Sequence, residues 1–153
     1  MRMKKLLLLF SLTLAVTLIV SGAAIADDCT ISTTPVSFGT YNVFSASPLD
    51  TTGSVIFNCN GEANITIKLD KGGAATFNPR RMLKGAEALN YNLYTDAGRT
   101  TIWGDGTGGT SFYSNPRTPK NQNISVTVFG RIPAGQDVSA GSYTNTVVAT
   151  INF

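Results

Sequence analysis

Histidine is absent from all 153 residues, and cysteine occurs only twice. Without an imidazole, the usual partner of a Ser or Cys nucleophile is missing and no catalytic triad can be assembled. Two cysteines and no histidine cannot supply the ligand set of a zinc site either. Charge is sparse, at 14% of residues, and the excess of 12 Lys and Arg over 9 Asp and Glu is carried by Arg2, Lys4 and Lys5. Residues 27–153 are therefore balanced in charge and present no basic surface for nucleic acid. Helical periodicity, heptads and linkers are missing from the same stretch. These absences argue against an enzyme, a cofactor or a metal centre.

What is present begins with a leader. Arg2, Lys4 and Lys5 form a basic segment, Leu6 to Val20 an apolar one, and Ala24-Ile25-Ala26 a small-residue cleavage site. This is the pattern of a secretory signal peptide over residues 1–26, and the apolar run is short for a retained anchor. The mature chain is expected to begin at Asp27, to leave the membrane after cleavage and to reach an oxidising compartment. Asp27 and Asp28 separate the cleavage site from Cys29, which is thus not placed for lipidation. Cys29 and Cys59 are expected to form one disulfide, closing a loop of about 30 residues worth roughly 3–4 kcal/mol in the chain-entropy model.

Residues 27–153 suit one domain, in which short alternating runs are separated by turn residues. Predicted strands cover Val36 to Tyr41, Ser54 to Asn60, Ala63 to Leu69, Ala88 to Thr95, Ile124 to Ile132 and Ser142 to Phe153. Val55, Phe57 and Cys59 share one face; Ile65, Ile67 and Leu69 point inward while Thr66 and Lys68 point outward; Leu89, Tyr91 and Leu93 alternate with Asn90 and Asn92 on the other face. The segment from Gly104 to Gln122 reads as one long loop rich in Gly, Thr and Pro. The expected fold is all-β: an incomplete immunoglobulin-like sandwich of about six to seven strands, one short of complete at six, the count depending on a short strand around Cys29 to Thr33. In the final run Tyr143, Val147, Ala149, Ile151 and Phe153 share one parity, and nothing in the sequence follows to cover that strand. Its outer edge is expected to need a segment of another polypeptide.

Other motifs have plainer readings. Gly104-Asp105-Gly106-Thr107-Gly108-Gly109 fits a lone G-x-G-x-x-G, but no βαβ unit surrounds it, so its glycines are read as turn residues. One carboxylate there is a poor calcium site. Asp50, Asp70, Asp96 and Asp105 mostly stand in turn contexts rather than as a hydrolytic pair. The sequons at Asn64 and Asn123 fall on or beside strands and are read as coincidence. Trp103, Phe112 and Tyr113 are candidates for a surface contact, with Trp103 alternatively lidding the sandwich.

Cys29-Thr30-Ile31-Ser32, Val36-Ser37-Phe38-Gly39-Thr40-Tyr41 and Gly53-Ser54-Val55-Ile56-Phe57-Asn58-Cys59 resemble the spore coat protein U domain. Leu89-Asn90-Tyr91-Asn92-Leu93-Tyr94, Trp103-Gly104-Asp105-Gly106, Phe129-Gly130-Arg131-Ile132-Pro133-Ala134-Gly135-Gln136 and the run from Ala140 to Phe153 extend the resemblance over the mature chain. That family includes pilins of archaic chaperone–usher pili and secreted coat proteins. The resemblance implies a sandwich with its last strand missing, whose vacant groove is filled first by a periplasmic chaperone and then by a strand from another subunit. It places Val147, Ala149, Ile151 and Phe153 on the strand bordering that groove. It implies as partners the chaperone, an outer-membrane usher and other pilin or coat subunits, with export through the periplasm to a pilus or coat. Polymerising pilins carry an alternating hydrophobic extension before the first cysteine, whereas only Asp27 and Asp28 are expected here. The chain is therefore expected to accept a strand without donating one, as a tip or terminating subunit. A self-contained adhesive or carbohydrate-binding module is the alternative, and a secreted hydrolase a distant third. Sequencing the N-terminus of the secreted protein is expected to return Asp27; a segment before Cys29 long enough to form a strand would defeat the acceptor-only expectation.

Overall fold

Alternation in the sequence becomes burial in space. The computed structural model describes residues 29–153; the leader, its cleavage site, Asp27 and Asp28 lie outside the described residues. In β2 (Leu49–Cys59), Val55, Phe57 and Cys59 are buried. In β3 (Ile65–Leu69), Ile65, Ile67 and Leu69 are buried and Thr66 and Lys68 half-exposed, as the period of two requires. Leu89, Tyr91 and Leu93 of β5 (Glu87–Tyr94) and Val128 and Ile132 of β7 (Ile124–Ile132) complete the core. β1 (Cys29–Thr34), β4 (Arg80–Lys84), β6 (Tyr113–Asn115) and β8 (Ala149–Asn152) are the remaining strands.

All pairings are antiparallel. One sheet has five strands in the order β1-β2-β7-β5-β4, the other three in the order β6-β3-β8. The all-β, incomplete sandwich reading holds, but the count rises from six or seven to eight strands.

Four local readings change. Val36 to Tyr41 is not a strand: Pro35 lacks a backbone donor, and Gly39 takes φ 68, which shifts the inward residues from Val36 and Phe38 to Tyr41 and Val43. Cys29 to Thr34 is a full strand, tied along its length to β2. β4 has no apolar alternation to reveal it: of its inward-parity residues Arg80, Met82 and Lys84, only Met82 is apolar. β6 lies inside the stretch read as loop, and only Ala149–Asn152 of the final run is regular, although Thr144 bridges to Leu83 further back.

Three devices pin the layers. Cys29 and Cys59 face one another in the β1–β2 register and are disulfide-bonded, joining edge strand to core strand. Trp103 is wholly buried and donates its indole N–H to the Ile67 carbonyl at 2.9 Å. Arg80, equally buried, donates to the Asp70 carbonyl at 3.0 and 2.8 Å, to the Trp103 carbonyl at 2.6 Å and to Asn92 Oδ1 at 2.8 Å. Carbonyl dipoles, not a carboxylate, thus solvate this cation, and burial pushes its pKa down. The same contact explains why Asn92, assigned by alternation to the outer face, is buried.

β1 is an edge strand with mostly exposed side chains, so the disulfide holds it more than packing does. Replacing both Cys29 and Cys59 by Ser is expected to lower stability by about 3–4 kcal/mol, read from the urea midpoint of the isolated domain. An unchanged midpoint would show that β1 is held by its ladder alone.

Candidate functional site

β1 runs out at Thr34 into a wall segment, 35–44, and β7 runs out at Ile132 into a second, 138–149, that ends in β8. Between the two walls lie adjoining cavities of about 1110 and 380 Å³. They share Pro35, Val36, Phe38, Met82 and Asn145, so they form one continuous groove. Its floor is apolar. Leu89 and Ile132 lie under the wider end, and Val55, Leu69, Leu93 and Val128 under the narrower.

Backbone accounting shows what the groove lacks. Leu83 and Thr144 exchange both their N–H and C=O bonds, at 2.8 and 3.1 Å. The Asp70 N–H donates to the Val148 carbonyl at 3.0 Å, and the Val148 N–H donates to Asp70 Oδ1 at 2.9 Å. These even-numbered residues thus turn their backbone groups toward β4 and the end of β3. On an extended chain the groups of alternate residues point to opposite sides, so those of Tyr143, Asn145 and Val147 turn toward the groove. Among the described residues they make no backbone hydrogen bond. The opposite wall is nearly as bare: among the described residues, only the Ser37 carbonyl of 35–41 has a partner for its backbone, the Thr51 hydroxyl at 2.9 Å. Two unpaired edges above an apolar floor match the needs of an inserted β-strand and of little else.

A polar latch fixes the wall at the wider end. Glu87 accepts from Ser139 Oγ at 2.5 Å and from the Tyr143 hydroxyl at 2.7 Å, and pairs with Lys84 at 2.9 Å. Lys84 also donates to the Ala140 carbonyl at 2.9 Å and to Ser139 Oγ, and its ammonium stands 5.4 Å from the Tyr143 ring centroid. These donors hold the Glu87 carboxyl down at about 2, the Ser139 bond weighing most. On the facing wall the Tyr41 hydroxyl donates to the Pro133 carbonyl at 2.9 Å and accepts from the Gln136 N–H at 3.0 Å.

The predicted edge residues divide. Val147, Ala149 and Ile151 are half-buried and packed on the core. Phe153 lies past the end of β8 and is 58% exposed. Trp103 is corrected: with no exposed surface it is a core residue, not a surface contact. Tyr113, in β6, packs against Phe57 and Trp103 with ring centroids 6.5 Å away in each case. Phe112 is half-buried beneath Lys68, whose ammonium is 5.0 Å from the ring centroid. They form no exposed aromatic platform. Reading the sequence missed Met82, Glu87 and Asn145, and also Phe44, which is 92% exposed beside the groove. Inward parity at Asn145 was legible; its polarity hid it. Among the described residues no three Cys, Asp or Glu side chains converge on a cation site.

Comparison with known proteins follows the same outline. The family model described as Spore Coat Protein U domain matches residues 13–150. Protein U of Myxococcus xanthus is 36% identical over 131 residues, covering 77% of this chain and 71% of that protein. The solved CsuC–CsuE chaperone–tip adhesion subunit pre-assembly complex, from the archaic chaperone-usher Csu pili of Acinetobacter baumannii, superposes with a TM-score of 0.60 at 23% identity. That match covers 83% of this chain and 40% of the other, so the fold is shared over part of a longer polypeptide.

The latch carries a pH signature. A carboxyl whose pKa is lowered on folding stabilises the fold above its ordinary value of 4.5, and that contribution is lost as pH falls toward about 2. Between those limits the melting point of the wild-type chain is expected to fall more steeply than that of Glu87→Gln. Parallel curves would show that the latch does not hold the wall in solution.

Proposed function

Because this chain belongs to the Spore Coat Protein U domain family, we propose that it is a secreted structural subunit of a surface pilus or coat, completed by a β-strand from another polypeptide. The observation that carries this reading is the groove, with unpaired backbone on both walls and an apolar floor between them. An inserted strand would satisfy both edges at once and bury its alternate side chains against Met82, Leu89, Leu93 and Val128. Each buried aliphatic side chain contributes about 1.5–3 kcal/mol, so four or five would contribute on the order of 6–15 kcal/mol. That is comparable with the whole stability of an ordinary domain, so the chain alone is expected to be poorly stable and to gain most of its stability on binding its partner.

The partners that suit this chemistry are a periplasmic chaperone during export, an outer-membrane usher, and then other pilin or coat subunits at the cell surface. The similarity to one chain of a chaperone–subunit complex supports the shared fold on which the proposal builds. We extend it to an acceptor-only subunit, at a fibre tip or terminus, on the expectation that only Asp27 and Asp28 precede Cys29 after cleavage. The alternative of a self-contained carbohydrate-binding module loses its main support with Trp103 in the core and Tyr113 half-buried against it.

A peptide of alternating Val and Thr, long enough to span the groove, is expected to bind the secreted chain and to raise its melting point. Val147→Lys places a charge on the groove edge and is expected to weaken that binding at least about tenfold. Unchanged stability with saturating peptide, or a lone chain already melting cooperatively at high temperature, would refute the acceptor reading.

A further inference from the structure

Midway along the apolar groove stands one polar pair. Asn145 occupies an inward position on its wall, between Tyr143 and Val147, and lines both cavities. Its Nδ2 donates to the Tyr91 hydroxyl at 3.0 Å. Tyr91 rises from β5 on the floor, and its ring meets that of Phe38 edge-on at 6.0 Å, so Phe38, Tyr91 and Asn145 cross the groove from wall to wall. The amide is held from behind by Gly72, which at φ 61 comes so close that a Cβ there would lie 2.6 Å from Nδ2.

This pair has hydrogen-bonding capacity left over. The Tyr91 hydroxyl receives the amide proton, but its own proton has no acceptor among the described residues. Burial raises the Tyr91 pKa, so the hydroxyl remains a donor. Asn145 Oδ1 likewise accepts no hydrogen bond among the described residues. In the open groove water can serve both. An entering strand displaces that water, and a wholly apolar strand leaves a donor and an acceptor buried without partners, which is unfavourable.

Resting on the strand-acceptor reading, we infer that the incoming strand is not uniformly hydrophobic but carries one hydrogen-bonding side chain, Ser, Thr, Asn or Gln, at the inward position that meets Asn145 and Tyr91. The polar step then fixes register. A strand displaced by two residues brings an apolar side chain to the pair and its polar one onto Leu89 or Leu93, losing at both places. A single buried asparagine sets register in coiled coils by the same logic. Asn145 and Tyr91 are therefore specificity determinants, acting on which strand enters and where it stops.

The test uses the processed, secreted chain and a series of peptides of alternating Val and Thr with Val facing inward. One inward Val at a time is replaced by Asn or Ser, and affinities are read by fluorescence polarisation. In one position only, the polar replacement is expected to tighten binding about tenfold or more over the all-Val parent; elsewhere it weakens binding. In Tyr91→Phe, which removes the hydroxyl and keeps the ring, that advantage shrinks, and in Tyr91→Phe/Asn145→Val the all-Val parent becomes the tightest binder. If the all-Val parent binds the wild-type chain and every polar replacement weakens it, the register inference falls while the acceptor reading stands. If no peptide of the series binds, both fall.

Discussion

Backbone amides and carbonyls of Tyr143, Asn145 and Val147 face a space that no segment of the described chain fills, and the wall from Pro35 to Tyr41 stands almost bare on the other side. A sheet edge buried without partners is unfavourable, and one left open beside an apolar floor exposes side chains that ought to be covered. Both needs are met by the same object, an extended segment with alternating side chains. The groove is therefore a consequence of hydrogen-bond and hydrophobic demand acting at one place. It is not a pocket shaped around a small molecule.

The remainder of the sandwich is built so that this vacancy can be tolerated. The disulfide anchors the start of β1 to the end of β2, and the β1–β2 ladder carries that hold along to Thr34, where the first wall departs. Arg80 gathers the Asp70 and Trp103 carbonyls into the core, and Asp70 in turn bonds Val148 where the second wall meets the small sheet. Glu87, Lys84 and Tyr143 hold that wall at its far end. Fixing the walls at their ends keeps the groove open, because neither can collapse onto the other without breaking bonds at a pinned point. Preorganisation of this kind reduces the entropy lost when a strand enters.

Polarity is distributed along the groove in the same economical way. Leu69, Leu89, Leu93 and Val128 make a floor that takes any aliphatic side chain, and such a surface alone would tolerate sliding by two residues. Asn145 and Tyr91 interrupt it once. In the proposed complex, affinity would come from the apolar floor and the backbone edges, and position from one hydrogen-bonding step.

Much of this was legible in the sequence, because a period of two reports directly which side chains face the core. Val55, Phe57 and Cys59, the run Ile65, Ile67 and Leu69, and Val147, Ala149 and Ile151 all lie where alternation placed them, and an even pair of cysteines in a chain expected to be exported was enough to pair Cys29 with Cys59. The resemblance supplied the missing strand. What alternation could not report is any inward residue that is polar. Arg80 hid β4, Asn92 was assigned to the outer face, and Asn145 read as a gap in the pattern. Arg80 and Asn92 are buried and Asn145 half-buried, each held by a partner outside its own strand: carbonyls of Asp70 and Trp103 for Arg80, the Arg80 guanidinium for Asn92, the hydroxyl of Tyr91 for Asn145. Trp103 and the wall at Val36 were likewise decided by tertiary packing. Sequence alone determined the strands whose buried faces are hydrophobic, since water dictates their orientation locally. Only the folded structure determined where polar groups are buried, since a hydrogen bond across the core has no local signature.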